Sequence, residues 1–227
     1  MEEQFEINQS DVPIRLFKSD FMEFFTHVSP ITIIVIWVPF IFYMLYRGIS
    51  MRPAQDNLLY MPVGLLIGLA IWTFVEYNIH RYLFHFTPQS AWQERIVFLF
   101  HGVHHAQPRL KTRLVMPPVV SIPMAAIFLV LYSLVFDRLL GQPQWVGPVV
   151  AGFTVGYLAY DLIHYATHHL PMRHGYLKYL KRHHMLHHYR TPEARFGVSS
   201  PFWDWVYGTL PSEQIETKRM VRYTADN

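Results

Sequence analysis

The sequence has no cysteine among its 227 residues. That excludes a disulfide scaffold and any zinc or iron–sulfur site built on thiolates. Charge is scarce too: Asp, Glu, Lys and Arg make up 15% of the chain, against about 25% in an ordinary soluble domain. Hydrophobic residues reach 52%, so disorder, which needs low hydrophobicity and high charge, is also excluded. Lys and Arg are absent from four long apolar stretches, 29–46, 58–79, 115–136 and 145–163. Each has the roughly 20 residues that a helix needs to cross a bilayer core of about 30 Å. Each of these stretches contains a proline (Pro39, Pro62, Pro123, Pro148), which a packed transmembrane bundle tolerates better than a soluble helix does. The opening MEEQFEIN is acidic and no short apolar core with a cleavage site follows, so it does not read as a signal peptide. No repeat, low-complexity tract or linker divides the chain, and 1–227 reads as one all-α, membrane-embedded unit with four spans.

The loops carry their basic residues unevenly. The N-terminal segment, 80–114 and the tail from His164 onward hold 16 of the 19 Lys and Arg. The positive-inside rule puts these segments, and both termini, in the cytoplasm. In this setting a net charge of +3 marks a membrane face and no nucleic-acid partner. All 14 histidines fall on that same side. Before the first span, Phe17, Phe21, Met22, Phe24 and Phe25 suit either an amphipathic segment at the membrane interface or an ordinary packed helix.

Twelve of the 14 histidines fall in four clusters: His80 and His85; His101, His104 and His105; His164, His168 and His169; His183, His184, His187 and His188. His27 and His174 stand alone. On a helix, i, i+3 and i+4 share a face. The HxxHH spacing of 101/104/105 and 184/187/188 therefore predicts three imidazoles aimed one way from each helix, and His164 and His168 pair likewise. His80 and His85 share no face on a continuous α-helix, which predicts that one lies past a helix end. Repeated imidazoles at ligand spacing point to metal. Ten in register (80, 85, 101, 104, 105, 164, 168, 184, 187, 188) exceed the four to six ligands of one ion, so two ions are implied. Imidazole accepts iron and zinc alike, and only iron has the redox chemistry for dioxygen. Histidine ligands need an outer acceptor; Asp161, three residues before His164, is the first candidate. Glu76, four before His80, suits that role or an ion pair with Arg81 or Arg113. His169 and His183 point about 100° away from their neighbours and suit supporting roles.

The strings FVEYNIHRYLFHF, HGVHH, RLVMPP, YDLIHYATHH, RHHMLHHY and FGVSSPFWDWVYGTLP run from about Phe74 to Pro211. With them the chain resembles the fatty acid hydroxylase/sterol desaturase superfamily of membrane di-metal oxidases. HxxHH alone marks the superfamily. The five-residue step from His80 to His85, RLVMPP at 113–118 and the FGVSS ending resemble the fatty acid 2-hydroxylases of sphingolipid metabolism, whereas sterol-directed relatives usually take four residues in the first box. The resemblance implies that the ten histidines are the metal ligands, with Asp161, Tyr157 and Tyr160 beside them. Trp203, Asp204, Gly208 and Thr209 would close a cytosolic helical cap. His183 stands where the family often has Tyr, which leaves the choice between His183 and His184 open. The substrate implied is a long fatty acyl chain, free or in a ceramide, hydroxylated at carbon 2 with dioxygen; the residues that bind it are not legible. Leu83, Phe84, Phe98 and Met185 suit an acyl route or plain core. The HPGG motif of a fused cytochrome b5 domain is absent, so electrons are expected from a separate donor such as cytochrome b5 and its reductase. The membrane would be endoplasmic reticulum in a eukaryote and the inner membrane in a bacterium. Two other readings are a sterol, carotenoid or alkyl-chain hydroxylase or desaturase, and a metal transporter or metal-storing protein. Transport calls for mid-span ligands, and the clusters are expected outside all four spans.

Overall fold

The computed structural model describes residue 10 and residues 12–211; the acidic opening and residues 212–227 fall outside them. No strand occurs among the described residues. Four helical segments are long and apolar enough to cross a membrane: Pro30–Ser50, Tyr60–Phe84, Lys111–Leu139 and Pro143–His169. The first is helix α2, preceded by the short α1, Asp20–Phe24. The second joins α3, Tyr60–Asn78, to a π-turn over Ile79–Phe84. After α4, Ala91–Val97, a second π-turn over Phe98–Gly102 leads into α5, Val103–Ala106. Helix α6, Pro118–Tyr132, is the core of the third span, and α7, Val146–His169, that of the fourth. Two helices complete the end of the bundle: α8, Gly175–Tyr189, and α9, Phe202–Val206.

Only Pro39 and Pro123 sit inside their helices. Pro62 and Pro148 fall in the first turns of α3 and α7, where a missing N–H costs no helical bond.

Helix α7 is the axis of the bundle. In its most apolar window 72% of residues are buried, against 28% in each of the first two spans and 11% in the third. The tight fit rests on glycine. A Cβ at Gly68 would stand 2.0 Å from the Val149 carbonyl oxygen, and one at Gly152 2.1 Å from that of Leu65. Gly64 and Gly68 on α3, and Gly152 and Gly156 on α7, repeat the small-xxx-small spacing that lets transmembrane backbones touch. Trp72 meets Phe153 and Tyr157 edge-on at 5.1 and 5.5 Å, and Trp37 of α2 meets Tyr157 at 5.4 Å.

Ahead of α2 the chain is strapped across the histidine end. Gln107 accepts from the Ile14 N–H and donates to the Val12 carbonyl, both at 2.9 Å. Arg113 pairs with Glu23, whose carboxylate also accepts the N–H groups of Leu16 and Phe17 at 3.0 and 2.8 Å. Burial alone would raise the Glu23 carboxyl; those two N–H groups and the Arg113 charge outweigh it and hold it below its ordinary value. Helix α1 buries none of its residues, and Phe21 and Phe24 are 74% and 72% exposed. The interfacial alternative for this segment therefore fits, and the packed-helix alternative does not.

A branched side chain at the close approach has nowhere to go. Gly152→Val is expected to destabilise the detergent-solubilised protein by about 1–3 kcal/mol, the usual range for overpacking, read as a lower thermal midpoint. Leu66→Ala, on a residue 66% exposed on α3, should shift it far less.

Candidate metal centre

The structure sorts ten histidines into two sets of five. The first is His80, His85, His101, His105 and His187; the second is His104, His164, His168, His184 and His188. Within each set the candidate ligand nitrogens all lie within 4.8 Å of one another. These are the ten expected from sequence, but their distribution differs. Each HxxHH triplet divides. His101 and His105 face the first set while His104 faces the second; His184 and His188 face the second while His187 faces the first. An i+4 pair stays together and the residue between them turns to the other side, because the two sets flank the seam between the helices. The prediction of three imidazoles aimed one way is corrected on that ground.

The five-residue step has a local cause. His80 lies in the π-turn and His85 caps it; a π-helix repeats at i+5, so the two imidazoles face one point. The second π-turn contains His101. His80, His164, His168 and His169 also lie within the helices of the second and fourth spans, not outside them as expected, since both helices continue past their apolar stretches.

The nitrogens converge in a way hydrogen bonding cannot explain. His101 Nε2 lies 2.9 Å from His80 Nε2 and 3.0 Å from His105 Nε2. His104 Nε2 lies 2.9 Å from both His164 Nε2 and His188 Nε2. His168 and His184 approach at 2.9 Å, His85 and His187 at 3.1 Å, again through Nε2. A neutral ring nitrogen has one hydrogen or one lone pair and cannot serve two such neighbours. A shared cation can: two nitrogens bound about 2.1 Å from one ion at right angles are roughly 3.0 Å apart. The donor set therefore fits a metal at each point.

Protonation agrees. Burial, then the neighbouring imidazoles, pushes His101, His104, His105, His184 and His188 well below the usual histidine range. His187 is lowered to about 4, mainly by burial, although the Ala194 carbonyl pulls the other way. All stay neutral near pH 7, the form that binds metal. Seven of the ten are buried, and His85, His105 and His168 are partly exposed. The two sets touch through His105 and His188, whose rings stack with centroids 4.1 Å apart.

The expected supporting residues fall elsewhere. Both oxygens of Asp161 accept the Met116 N–H, at 3.2 and 3.3 Å, and Nδ1 of His164 has no hydrogen-bond partner among the described residues. Asp161 thus ties the RLVMPP segment to α7 and leaves the His164 ring alone. Glu76 is buried and forms no ion pair with Arg81 or Arg113; it accepts from Val198 N–H, Ser199 N–H and Oγ, and Trp72 Nε1. Tyr157 belongs to the apolar core, and Tyr160 lies 5.7 Å from the His164 ring, centroid to centroid. His169 packs on Tyr165 at 4.8 Å. His183 faces Asp204 at 3.2 Å; of the two neighbours left open, His184 lies in the second set and His183 in neither. Phe84 is core, stacked on His101 at 5.0 Å, whereas Leu83 is exposed.

What sequence reasoning missed is main chain. The Ala194 carbonyl accepts from His187 Nδ1 at 2.7 Å, and the Phe196 carbonyl from His80 Nδ1. Backbone acceptors leave no residue-type signal; only the buried Asp204, bonded to the N–H groups of Phe196 and Gly197, hints at an organised loop.

The family model for fatty acid hydroxylases matches residues 65–209. The chain belongs to the fatty acid hydroxylase family. It is 36% identical to dihydroceramide fatty acyl 2-hydroxylase FAH2 of Arabidopsis thaliana, over 90% of this chain and 83% of that one. It is also 36% identical to fatty acid 2-hydroxylase of Mus musculus, over 91% of this chain but 59% of the longer mouse protein. A solved structure of full-length scs7p, in which only the hydroxylase domain is visible, superposes with a TM-score of 0.76 at 33% identity, covering 85% of this chain and 70% of that one. This member of the family is thus a multi-pass membrane protein whose histidines gather at one end of the bundle.

Elemental analysis of the purified hydroxylase should find about two metals per chain. Alanine at His104 or His187 should lower that number, and alanine at His27, His169 or His174 should not. Full metal content in both His104→Ala and His187→Ala would place the metal elsewhere.

Proposed function

We propose that the protein is a monooxygenase that hydroxylates carbon 2 of a long acyl chain, free or amide-linked in a ceramide, with two iron ions held by the ten histidines. The observation that carries this reading is the pair of five-imidazole sets at the end of four membrane-length helices, in a chain whose matched relatives are named 2-hydroxylases. The C–H bond beside a carboxyl or amide is closed to acid–base groups at neutral pH. Bound iron supplies the one-electron chemistry that activates dioxygen, which zinc lacks. The reaction balances as R–H plus dioxygen, two electrons and two protons, giving R–OH and water.

The protein's part is placement. Seven buried imidazoles keep water from the interior of the site, and partly exposed His85, His105 and His168 leave an open rim. Exposed Leu83 and Leu170 lie two residues from His85 and His168 in sequence, so apolar side chains are available beside that rim for an acyl chain. Residues 1–227 act as one hydroxylase unit, both termini in the cytoplasm, in the endoplasmic reticulum of a eukaryote or the inner membrane of a bacterium. Electrons come from a separate protein, cytochrome b5 with its reductase or an equivalent. Exposed Arg173, Lys178 and Arg182 offer an acidic donor a basic face.

Mass spectrometry of acyl chains from cells with and without the protein should show 2-hydroxy products only when it is present. A double bond, or a hydroxyl near the methyl end, would overturn the assignment to carbon 2. Purified protein with NADPH alone should not turn over, and turnover with an added donor should slow as salt screens the basic face.

A further inference from the structure

The two histidine sets differ in what holds them, and the difference traces to two buried carboxylates in neither set. In the loop between α8 and α9, four consecutive main-chain N–H groups donate to side chains. Those of Phe196 and Gly197 reach the two oxygens of Asp204, and those of Val198 and Ser199 share Oε1 of Glu76, all at 2.8 Å. Glu76 comes from α3, Asp204 from α9, and both are buried. The loop is thus splinted along its N–H side from two elements. Its carbonyl side serves the metal centre, through Ala194 to His187 and Phe196 to His80. Between those two carbonyls stands Arg195 at φ 63°, a left-handed conformation that is unfavourable for a non-glycine residue and persists only where its surroundings impose it.

Both supported histidines belong to the first set. In the second, Nδ1 of His104, His164 and His184 is buried without a hydrogen-bond partner among the described residues. An Nδ1–H held by a carbonyl fixes the tautomer, orients the ring and raises the basicity of Nε2. We propose that Glu76 is a positioning residue for the first metal site, acting through the Phe196 carbonyl on His80, and that the two sites are unequal: the first retains its ion and the second releases its ion first. The proposal rests on the metal reading above. Loss of such outer support typically lowers metal affinity 10–100-fold.

The test uses the full chain in detergent, loaded with zinc and challenged with excess chelator while released metal is followed. Two phases of equal amplitude are expected, and the slow one should be missing in His80→Ala. Glu76→Gln keeps one acceptor oxygen for Val198 and Ser199 but removes the second, which takes Trp72 Nε1 and Ser199 Oγ. It should speed the slow phase about tenfold or more and leave the fast phase unchanged. Glu76→Ala should hold about one ion per chain; adding His80→Ala should remove nothing further, and adding His164→Ala should remove the remaining ion. Release in a single phase, or equal acceleration of both phases by Glu76→Gln, would overturn the proposal. If Glu76→Ala does not fold, Glu76→Gln carries the test alone. A parent protein with fewer than two ions would instead contradict the metal reading itself.

Discussion

Ten imidazoles aim Nε2 at two points, and without a cation at each point that arrangement repels itself. Everything at the histidine end of the molecule serves or tolerates this convergence. Buried neutral rings, each with a lone pair facing other lone pairs, have no stable alternative in a dry interior. A cation at each point would satisfy them and serve as a structural element as well. Bound more tightly by the gathered imidazoles than by the unfolded chain, it would add that difference in binding free energy to stability.

The two sets are interleaved. The first draws a pair from the π-turn that follows α3, a pair from the second π-turn and α5, and a single residue from α8; the second draws a pair from α7, a pair from α8 and a single residue from α5. Each set therefore draws on α5, on α8 and on the end of one span, so an ion held by either set would tie those three elements together. The bundle beneath is built to hold those spans at fixed separation. Backbone contact at Gly68 and Gly152 sets how close α3 and α7 run, and with it the distance between the pairs they carry.

Much of this was legible in the sequence. Four Lys- and Arg-free stretches give the spans, and ten histidines at ligand spacing give both sets, because charge depletion and imidazole are signals carried by side chains. The remainder depended on backbone. A five-residue step reads as a broken helix until the π-turn at Ile79–Phe84 is seen. HxxHH reads as one face, although a seam between helices divides it. Asp161 and Glu76 have the spacing of histidine partners, yet each turns to main-chain N–H groups, and the acceptors that do hold His80 and His187 are carbonyls of Phe196 and Ala194. Carbonyls belong to every residue, so no pattern of residue types announces them.

The central claim is two ions, each in an all-imidazole set with ligands drawn from both HxxHH motifs. Anomalous diffraction from crystals of the iron-loaded protein tests it most directly. Two peaks per chain are expected, each about 2.1 Å from Nε2 atoms of its own five histidines, with His104 on the second ion and His187 on the first. A single peak, or an ion bound by a carboxylate oxygen of Glu76, Asp161 or Asp204, would contradict the account.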